Sequence, residues 1–120
     1  MRTHILKDLL IWRKSMTLVK EIYLLTASLP SAENYGLQNQ MRRCAVSIPS
    51  NIAEGAGRNT PKEFCQFLRI ATGSCYELET QLLLLVELNF KILDDIQPAL
   101  NNLTEIQKMI YKFKNSLMSS

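Results

Sequence analysis

The spacing of turn signals and apolar residues most limits how this chain can fold. Turn-forming residues cluster at positions 30–36, 55–61 and 89–95 of the 120 residues. The segments between them repeat apolar residues at spacings of three and four, which is the period of an amphipathic α-helix. No strand pattern or internal repeat competes with this interpretation. The sequence therefore predicts four long helices, at about residues 6–28, 37–56, 61–89 and 95–117.

Each predicted helix has one apolar face that we expect to be buried. The first two faces consist of Leu9, Trp12, Met16, Val19 and Tyr23, and of Leu37, Met41, Cys44 or Ala45, Ile48 and Ile52. The last two consist of Phe64, Phe67 or Leu68, Ala71, Cys75, Leu78, Leu82, Leu85 and Leu88, and of Ile96, Leu100, Leu103, Ile106, Ile110, Phe113 and Leu117. A hydrophobic content of 47% is enough for one core, so we expect a single domain over residues 1–120.

Two of the predicted helices begin with capping residues. Thr60 precedes Pro61 and Glu63, which is the pattern of a capping box with proline in the first helical position. Asp94 or Asp95 is the expected cap of the fourth helix. Because short connections between long helices favour antiparallel neighbours, we predict an all-α, antiparallel up-down-up-down four-helix bundle.

Surplus apolar residues predict self-association. Residues 82–86 read Leu-Leu-Leu-Leu-Val, which is apolar on every side of a helix. Leu18, Ile22 and Leu25 add apolar surface beside the main stripe of the first helix. A four-helix protein encloses no helix completely, so apolar residues on a second side favour a subunit interface. We therefore expect a homo-oligomer.

The titratable residues do not form a catalytic set. His4 is the only histidine, so Ser47, Ser50 and Ser74 have no evident general base. Bundles that bind two metals use Glu-x-x-His pairs, and this sequence has none. We therefore expect no enzymatic activity, no metal and no cofactor.

The cysteines and the hydropathy indicate a compartment. Cys44, Cys65 and Cys75 are odd in number and lack Cys-x-x-Cys spacing, which favours reduced thiols in packing positions. The sequence has no signal peptide pattern and no apolar run of about 18 residues or more. These features predict a cytoplasmic protein that does not insert into a membrane.

The stretch SIPSNIAEGAGR, residues 47–58, combines polar and helix-breaking residues in one helix. Pro49 removes a hydrogen bond to the carbonyl of Ala45 and should bend the helix. Gly55–Gly57 is expected to end the helix and turn the chain. We interpret the polar residues as a packing lock against the third helix, with a ligand pocket as the alternative. The predicted structural motif comprises Ser47, Pro49, Asn51 (or Ser50), Glu54, Gly55, Ser74 and Glu77.

Small residues and one ion pair complete the predicted lock. Ala71, Gly73 and Ser74 are small enough to let the second helix approach the third closely. Glu54 is expected to pair with either Arg69 or Arg43.

The net charge of +3 is unevenly distributed along the chain. Residues 1–69 carry ten Lys or Arg and five Asp or Glu, whereas residues 70–120 carry four and six. A solvated basic face would have the same composition, but rigidly held cations also bind phosphates without reading sequence. Lys108, Lys112 and Lys114 add a cluster near the end of the chain. The candidate phosphate contacts are Arg42, Arg43, Arg58, Lys62 and Arg69.

Residues 43–84 also carry a family resemblance. The pattern SIPSNIAEGxGR, followed by EFxxFLRIAxGSxxELETQL, closely resembles proteins first described from reading frames within intervening sequences of bacterial 23S ribosomal RNA genes. That resemblance implies an antiparallel four-helix bundle assembled as a homopentamer. More remotely, the chain is similar to the accessory variability proteins of diversity-generating retroelements, which are basic pentamers that bind nucleic acid and a reverse transcriptase.

Two functions follow as hypotheses. The first is a non-enzymatic, oligomeric protein that binds nucleic acid, with RNA favoured, through a basic surface and without strong sequence specificity. The alternative is a scaffold whose oligomer recruits another protein.

Overall fold

Four α-helices account for most of the protein. The computed structural model describes residues 5–119, apart from the side chain of Lys7. Its α-helices are α1 (Leu10–Thr26), α2 (Leu37–Ala56), α3 (Pro61–Glu87) and α4 (Leu93–Ser119). Short 3-10 helices span Leu6–Asp8 and Ser31–Glu33, and residues 5–119 contain no strand. The all-α prediction is confirmed.

The helices form an antiparallel bundle. Each helix packs against two others, in the order α1, α2, α3, α4 and back to α1. Ser47 of α2 hydrogen-bonds to Ser74 of α3, while Cys65 near the start of α3 lies 3.8 Å from the carbonyl of Lys114 near the end of α4. The bundle measures 48 × 23 × 20 Å. Over the described residues, no helix combines the length and apolarity needed to cross a bilayer.

The buried face of α1 differs from the predicted one. Met16 and Tyr23 are 47% and 41% exposed, and the other members of the predicted stripe are half-buried. The buried residues are Ile11, Ser15, Leu18, Ile22 and Thr26. The hydroxyls of Ser15 and Thr26 donate to the carbonyls of Ile11 and Ile22, each at 2.7 Å. Because these bonds satisfy both hydroxyls, a face that contains two polar residues can enter the core.

The predicted faces of the other helices are largely confirmed. In α2 the buried residues of the predicted face are Met41, Cys44, Ala45, Ile48 and Ile52. In α3 every predicted residue is buried except Phe67, which is half-buried, and Leu88, which is 51% exposed. In α4 the buried residues are Ile96, Ala99, Leu103, Ile106 and Ile110. One continuous hydrophobic core joins all four helices.

The helix ends agree in part with the sequence. The backbone N–H of Glu63 donates to the Thr60 hydroxyl at 3.1 Å, so the predicted cap of α3 is confirmed. The predicted cap of α4 is wrong, because the helix already begins at Leu93. There the Asp95 carboxylate accepts the N–H of Ile92 at 3.1 Å from within the first turn, which satisfies an N–H that has no partner inside the helix.

Several residues assigned to a subunit interface belong to the core instead. Leu18, Ile22, Leu82 and Leu85 have no exposed surface within a single chain. Leu83 and Leu84 are 44% and 39% exposed. The surplus apolar surface is therefore smaller than the sequence suggested.

Candidate nucleic-acid interface

Polar contacts join the middle of α2 to the middle of α3. The hydroxyls of Ser47 and Ser74 lie 2.6 Å apart, and the Ser47 hydroxyl is also 2.7 Å from the carbonyl of Cys44. The Asn51 amide donates to the carbonyl of Ser47 at 2.7 Å, and the Cys44 thiol donates to the carbonyl of Ser74 at 3.1 Å. The Ser47–Ser74 and Cys44–Ser74 bonds cross from α2 to α3, whereas the Asn51 bond stays within α2.

The glycines of the motif have different roles. A Cβ on Gly55 would lie 2.6 Å from Cδ1 of Phe64 and 3.0 Å from Cβ of Phe67. Gly55 thus permits close contact between α2 and α3 and lies within α2, whereas Gly57 caps it. Gly73 is exposed, and a Cβ there would meet no atom within 4 Å. Its predicted role in bringing α2 close is therefore wrong.

Glu54 and Arg58 form an ion pair at the exposed end of α2. The Arg58 guanidinium lies 3.5 Å from the Glu54 carboxylate and stacks over the Phe67 ring at 4.7 Å. The predicted pairing of Glu54 with Arg43 or Arg69 is wrong. Arg43 is eleven residues before Glu54, which is about 16 Å along a helix, whereas Arg58 is one turn away.

Arg42 holds the end of α1 against α2. Its guanidinium donates to the Thr26 hydroxyl at 3.0 Å and to the carbonyl of Tyr23 at 3.1 Å. It also lies 4.5 Å from the centre of the Tyr23 ring. A cation at a helix C-terminus is favourable because the last carbonyls have no partner within the helix. These contacts make Arg42 a structural residue, and its contact with phosphate stays a prediction.

The remaining candidates are free to bind a ligand but lie apart. Arg43, Lys62 and Arg69 are exposed, and none makes an ion pair within the described part of the chain. Arg43 lines a shallow cavity of about 450 Å³ with Ser47, Ser74 and Glu77. Lys62 and Arg69 lie two turns apart on α3. The five residues therefore do not converge on one cavity.

Antiparallel packing instead collects three of these candidates and five further cations at one end of the bundle. The start of α3 meets the end of α4, where Phe64 and Phe113 pack edge to face at 5.2 Å. The start of α1 meets the same part of α4. This region, which we call the basic end, contains Arg13, Lys14, Arg58, Lys62, Arg69, Lys108, Lys112 and Lys114. The opposite region, the acidic end, contains seven carboxylates, Glu21, Glu33, Glu77, Glu79, Glu87, Asp94 and Asp95, and four cations, Lys20, Arg42, Arg43 and Lys91.

Few of the basic-end charges are neutralised by neighbours. Glu105 pairs with Lys14 at 3.0 Å, and Glu54 pairs with Arg58. Lys62, Arg69, Lys108 and Lys112 are exposed and make no ion pair with any described residue. Asp8 and Glu63 also lie at this end, so its eight cations face four carboxylates, and the basic end presents a net positive charge to solvent.

A groove between α3 and α4 also opens at the basic end. It has a volume of about 670 Å³, and its lining includes Thr72, Tyr76, Thr104, Lys108, Tyr111 and Lys112. We call it the tyrosine groove. The lysines are recognisable as candidates from the sequence, whereas Tyr76 and Tyr111 are not. These residues fall outside the apolar stripes, and their proximity depends on the register between helices, which periodicity does not supply.

The cysteines have the properties of packed thiols. Burial, with a contribution from Glu77, raises the pKa of Cys44 to about 11. Burial, followed by Cys44 and Glu79, raises the pKa of Cys75 to about 12. A protonated thiol is a poor nucleophile and a poor metal ligand. No cluster of three metal-ligating residues occurs in the described residues, and His4 lies outside them.

Residues 7–112 match the family described as 23S rRNA-intervening sequence protein. The chain belongs to this family. The matched region includes all of α1, α2 and α3 and most of α4. Family membership is therefore established over the whole core, while the remote similarity to retroelement accessory proteins stays a prediction.

A solved structure supports the same fold. It is a protein of unknown function from the S23 ribosomal protein family of Bacteroides thetaiotaomicron, with a TM-score of 0.78 and 23% sequence identity. The alignment covers 88% of this chain and 98% of that protein. No curated protein matches this chain. The structural relative thus shows the fold of this protein and carries no activity over to it.

Proposed function

We propose that this protein is a non-enzymatic, oligomeric nucleic-acid-binding protein that favours RNA. The observation that carries the proposal is the group of exposed, unpaired cations at the basic end. Cations on rigid helices bind phosphates by charge and release counterions, which gives affinity without base specificity. The name of the family, which refers to an intervening sequence of 23S ribosomal RNA, favours RNA as the polyanion.

Oligomerisation would multiply the charge of one chain. A net charge of +3 per chain is mild, but several basic ends on one assembly would create a stronger field and more phosphate contacts. Because each neutralised phosphate adds to the salt dependence, binding should weaken steeply as salt rises. We therefore expect binding that resembles that of a charged surface more than that of a specific pocket.

Fluorescence anisotropy with a labelled RNA hairpin at about 50 mM salt tests the proposal. The test variant combines Lys62→Gln with Arg69→Gln, and Lys20→Gln on the exposed part of α1 is a control for charge outside the basic end. We expect the double variant to weaken binding evenly across RNA sequences and to reduce the slope of log affinity against log salt by about 2. The control should change the affinity less than either single change in the test variant.

Two results would count against the proposal. Absence of measurable binding to structured RNA and DNA at about 50 mM salt would remove it. Equal weakening by Lys20→Gln and by the basic-end variants would show that net charge, and not this surface, determines the affinity.

A further inference from the structure

The tyrosine groove combines two chemistries in one place. Tyr76 on α3 is 61% exposed and Tyr111 on α4 is 63% exposed, although large aromatic rings usually bury most of their surface in a core or an interface. Lys108, Lys112 and Lys114 line the same groove. Exposed aromatic rings beside unpaired cations are the two components of surfaces that bind single-stranded nucleic acid.

The charge of the groove is positive because its one carboxylate is already engaged. Glu105 also lines the groove, but its carboxylate lies 3.0 Å from the Lys14 ammonium. After Glu105, α4 carries three lysines and no acidic residue. Lys108 and Lys112 lie one turn apart on that stretch, and neither makes an ion pair with a described residue. A polyanion is therefore the complementary occupant.

A buried amide group adds a polar feature to the wall of the groove. Gln107 lines the groove, and its Nε2 is buried without a hydrogen-bond partner among residues 5–119. A buried donor of this kind costs free energy until it finds an acceptor. A rotation of the Gln107 side chain would be needed to present this donor to an acceptor in the groove, such as a base carbonyl or a phosphate oxygen.

We propose that the tyrosine groove binds a single-stranded segment of nucleic acid, with bases stacked on Tyr76 and Tyr111 and phosphates held by Lys108 and Lys112. The proposal rests on the proposed function and adds the form of the nucleic acid and its site. Bases in a duplex are paired and stacked on each other, so their faces are not available to the two rings. The groove therefore selects an unpaired strand.

The helix register indicates that the two rings hold different bases. The contact between Cys65 and Lys114 aligns α3 with α4 and separates Tyr76 from Tyr111 by about 12 Å along the bundle axis. Adjacent stacked bases are only about 3.4 Å apart, so the rings cannot enclose one base between them. Loss of either ring should therefore act independently of loss of the other.

The test compares a labelled oligouridine of about 12 nucleotides, an oligothymidine of the same length and an RNA duplex of the same length. The variants are Tyr76→Ala, Tyr111→Ala and the corresponding Phe substitutions. Tyr35→Ala is the matched control, because Tyr35 is 94% exposed and lies outside the groove. All three alanine sites are exposed, and circular dichroism should show unchanged helix content.

We expect Tyr76→Ala and Tyr111→Ala each to weaken single-strand binding by between about fivefold and about a hundredfold. Duplex binding should change by less than about twofold. The Phe variants should bind like the parent protein, because they keep the stacking ring, and Tyr35→Ala should have no effect. Oligouridine and oligothymidine both present a pyrimidine ring for stacking and a phosphate backbone, so binding of either supports the proposal.

Other results would overturn the proposal. One is an equal effect of the alanine variants on single strands and duplex, and another is no effect on either. A change in assembly mass in the alanine variants would identify a second copy of this chain as the occupant. If RNA binding is lost in the Lys62 and Arg69 double variant but not in the tyrosine variants, only this inference fails. If the parent protein binds no nucleic acid, the proposed function fails as well.

Discussion

At the scale of single residues, two glycines provide a matched pair. Gly55→Ala places a Cβ 2.6 Å from the buried ring of Phe64, and we expect a loss of about 1–3 kcal/mol in the free energy of unfolding. Gly73→Ala adds a Cβ in open space on an exposed helix surface, and we expect a gain of about 0.5–1 kcal/mol. Urea denaturation of both variants measures the difference. A stable Gly55→Ala protein would show that α2 and α3 do not approach as closely as described.

The buried thiols predict a loss of stability at high pH. In the unfolded chain Cys44 and Cys75 titrate near a pKa of 9.0, but in the folded protein their pKa values are about 11 and about 12. Between these values the unfolded state binds fewer protons, so the free energy of unfolding falls as pH rises, by at most about 1.4 kcal/mol per pH unit for each thiol. Urea unfolding under reducing conditions, from about pH 9 to about pH 11, measures this slope.

Alanine variants separate the thiols from other groups that titrate in the same range. Tyrosine and lysine side chains also ionise near pH 10, so the slope of the parent protein alone does not identify its source. In Cys75→Ala one thiol is absent, and we expect a smaller slope above about pH 9. Identical slopes in the parent protein, Cys44→Ala and Cys75→Ala would contradict the assignment.

At the scale of secondary-structure elements, Arg42 helps to join the end of α1 to α2. Its guanidinium bonds to Thr26 and to the carbonyl of Tyr23. Hydrogen bonds to a charged group contribute more than neutral ones, so we expect Arg42→Gln to lower the free energy of unfolding by about 1–3 kcal/mol. Arg43→Gln is the neighbouring control, and we expect a change within about 0.5 kcal/mol because Arg43 is exposed. Equal effects in thermal or urea unfolding would show that the Arg42 contacts do not stabilise the fold.

The elements also show which parts of the fold were predictable from sequence. Helix number and the start of α3 follow from local chemistry, since Thr60 and Pro61 determine where the helix can begin. The buried face of α1 was not predictable in the same way. The predicted face and the observed buried face of α1 repeat with the same helical period. Periodicity alone does not indicate that Ser15 and Thr26 can be buried, because this depends on the hydrogen bonds of their hydroxyls to their own helix. Hydrophobic periodicity therefore does not detect a buried face whose polar residues are hydrogen-bonded within their own helix.

At the scale of the whole molecule, the topology rearranges the charge. The sequence divides into a positive first part and a negative second part, yet the antiparallel bundle brings Lys108 and Lys112 from the second part to the same end as Lys62 and Arg69. The predicted phosphate contacts were therefore incomplete, because they followed chain position. Arg43, which lies toward the acidic end, was grouped with residues that the fold separates from it.

Self-association is also a property of the whole molecule. Leu24, Leu84, Leu88, Ile92 and Leu93 are between 39% and 68% exposed. They lie toward one end of the bundle, where Lys91 bonds to Ser28. Large apolar side chains exposed at one end of a molecule favour an interaction surface there. We expect the protein to assemble through this end, with a mass several times the 13.8 kDa of one chain, and a pentamer would have five times that mass.

Substitution of one exposed leucine tests the assembly surface. Leu84→Glu places a charge in the expected interface, where burial without a partner is costly, and we expect light scattering at micromolar concentration to show a smaller assembly. Met118→Glu is the control, because Met118 is 58% exposed near the end of α4, at the opposite end of the bundle, and it should keep the parent mass. A monomeric mass for the parent protein would contradict the oligomeric part of the proposed function. If Met118→Glu dissociates the assembly and Leu84→Glu does not, the subunits meet at the basic end, and the tyrosine groove would face a neighbouring chain.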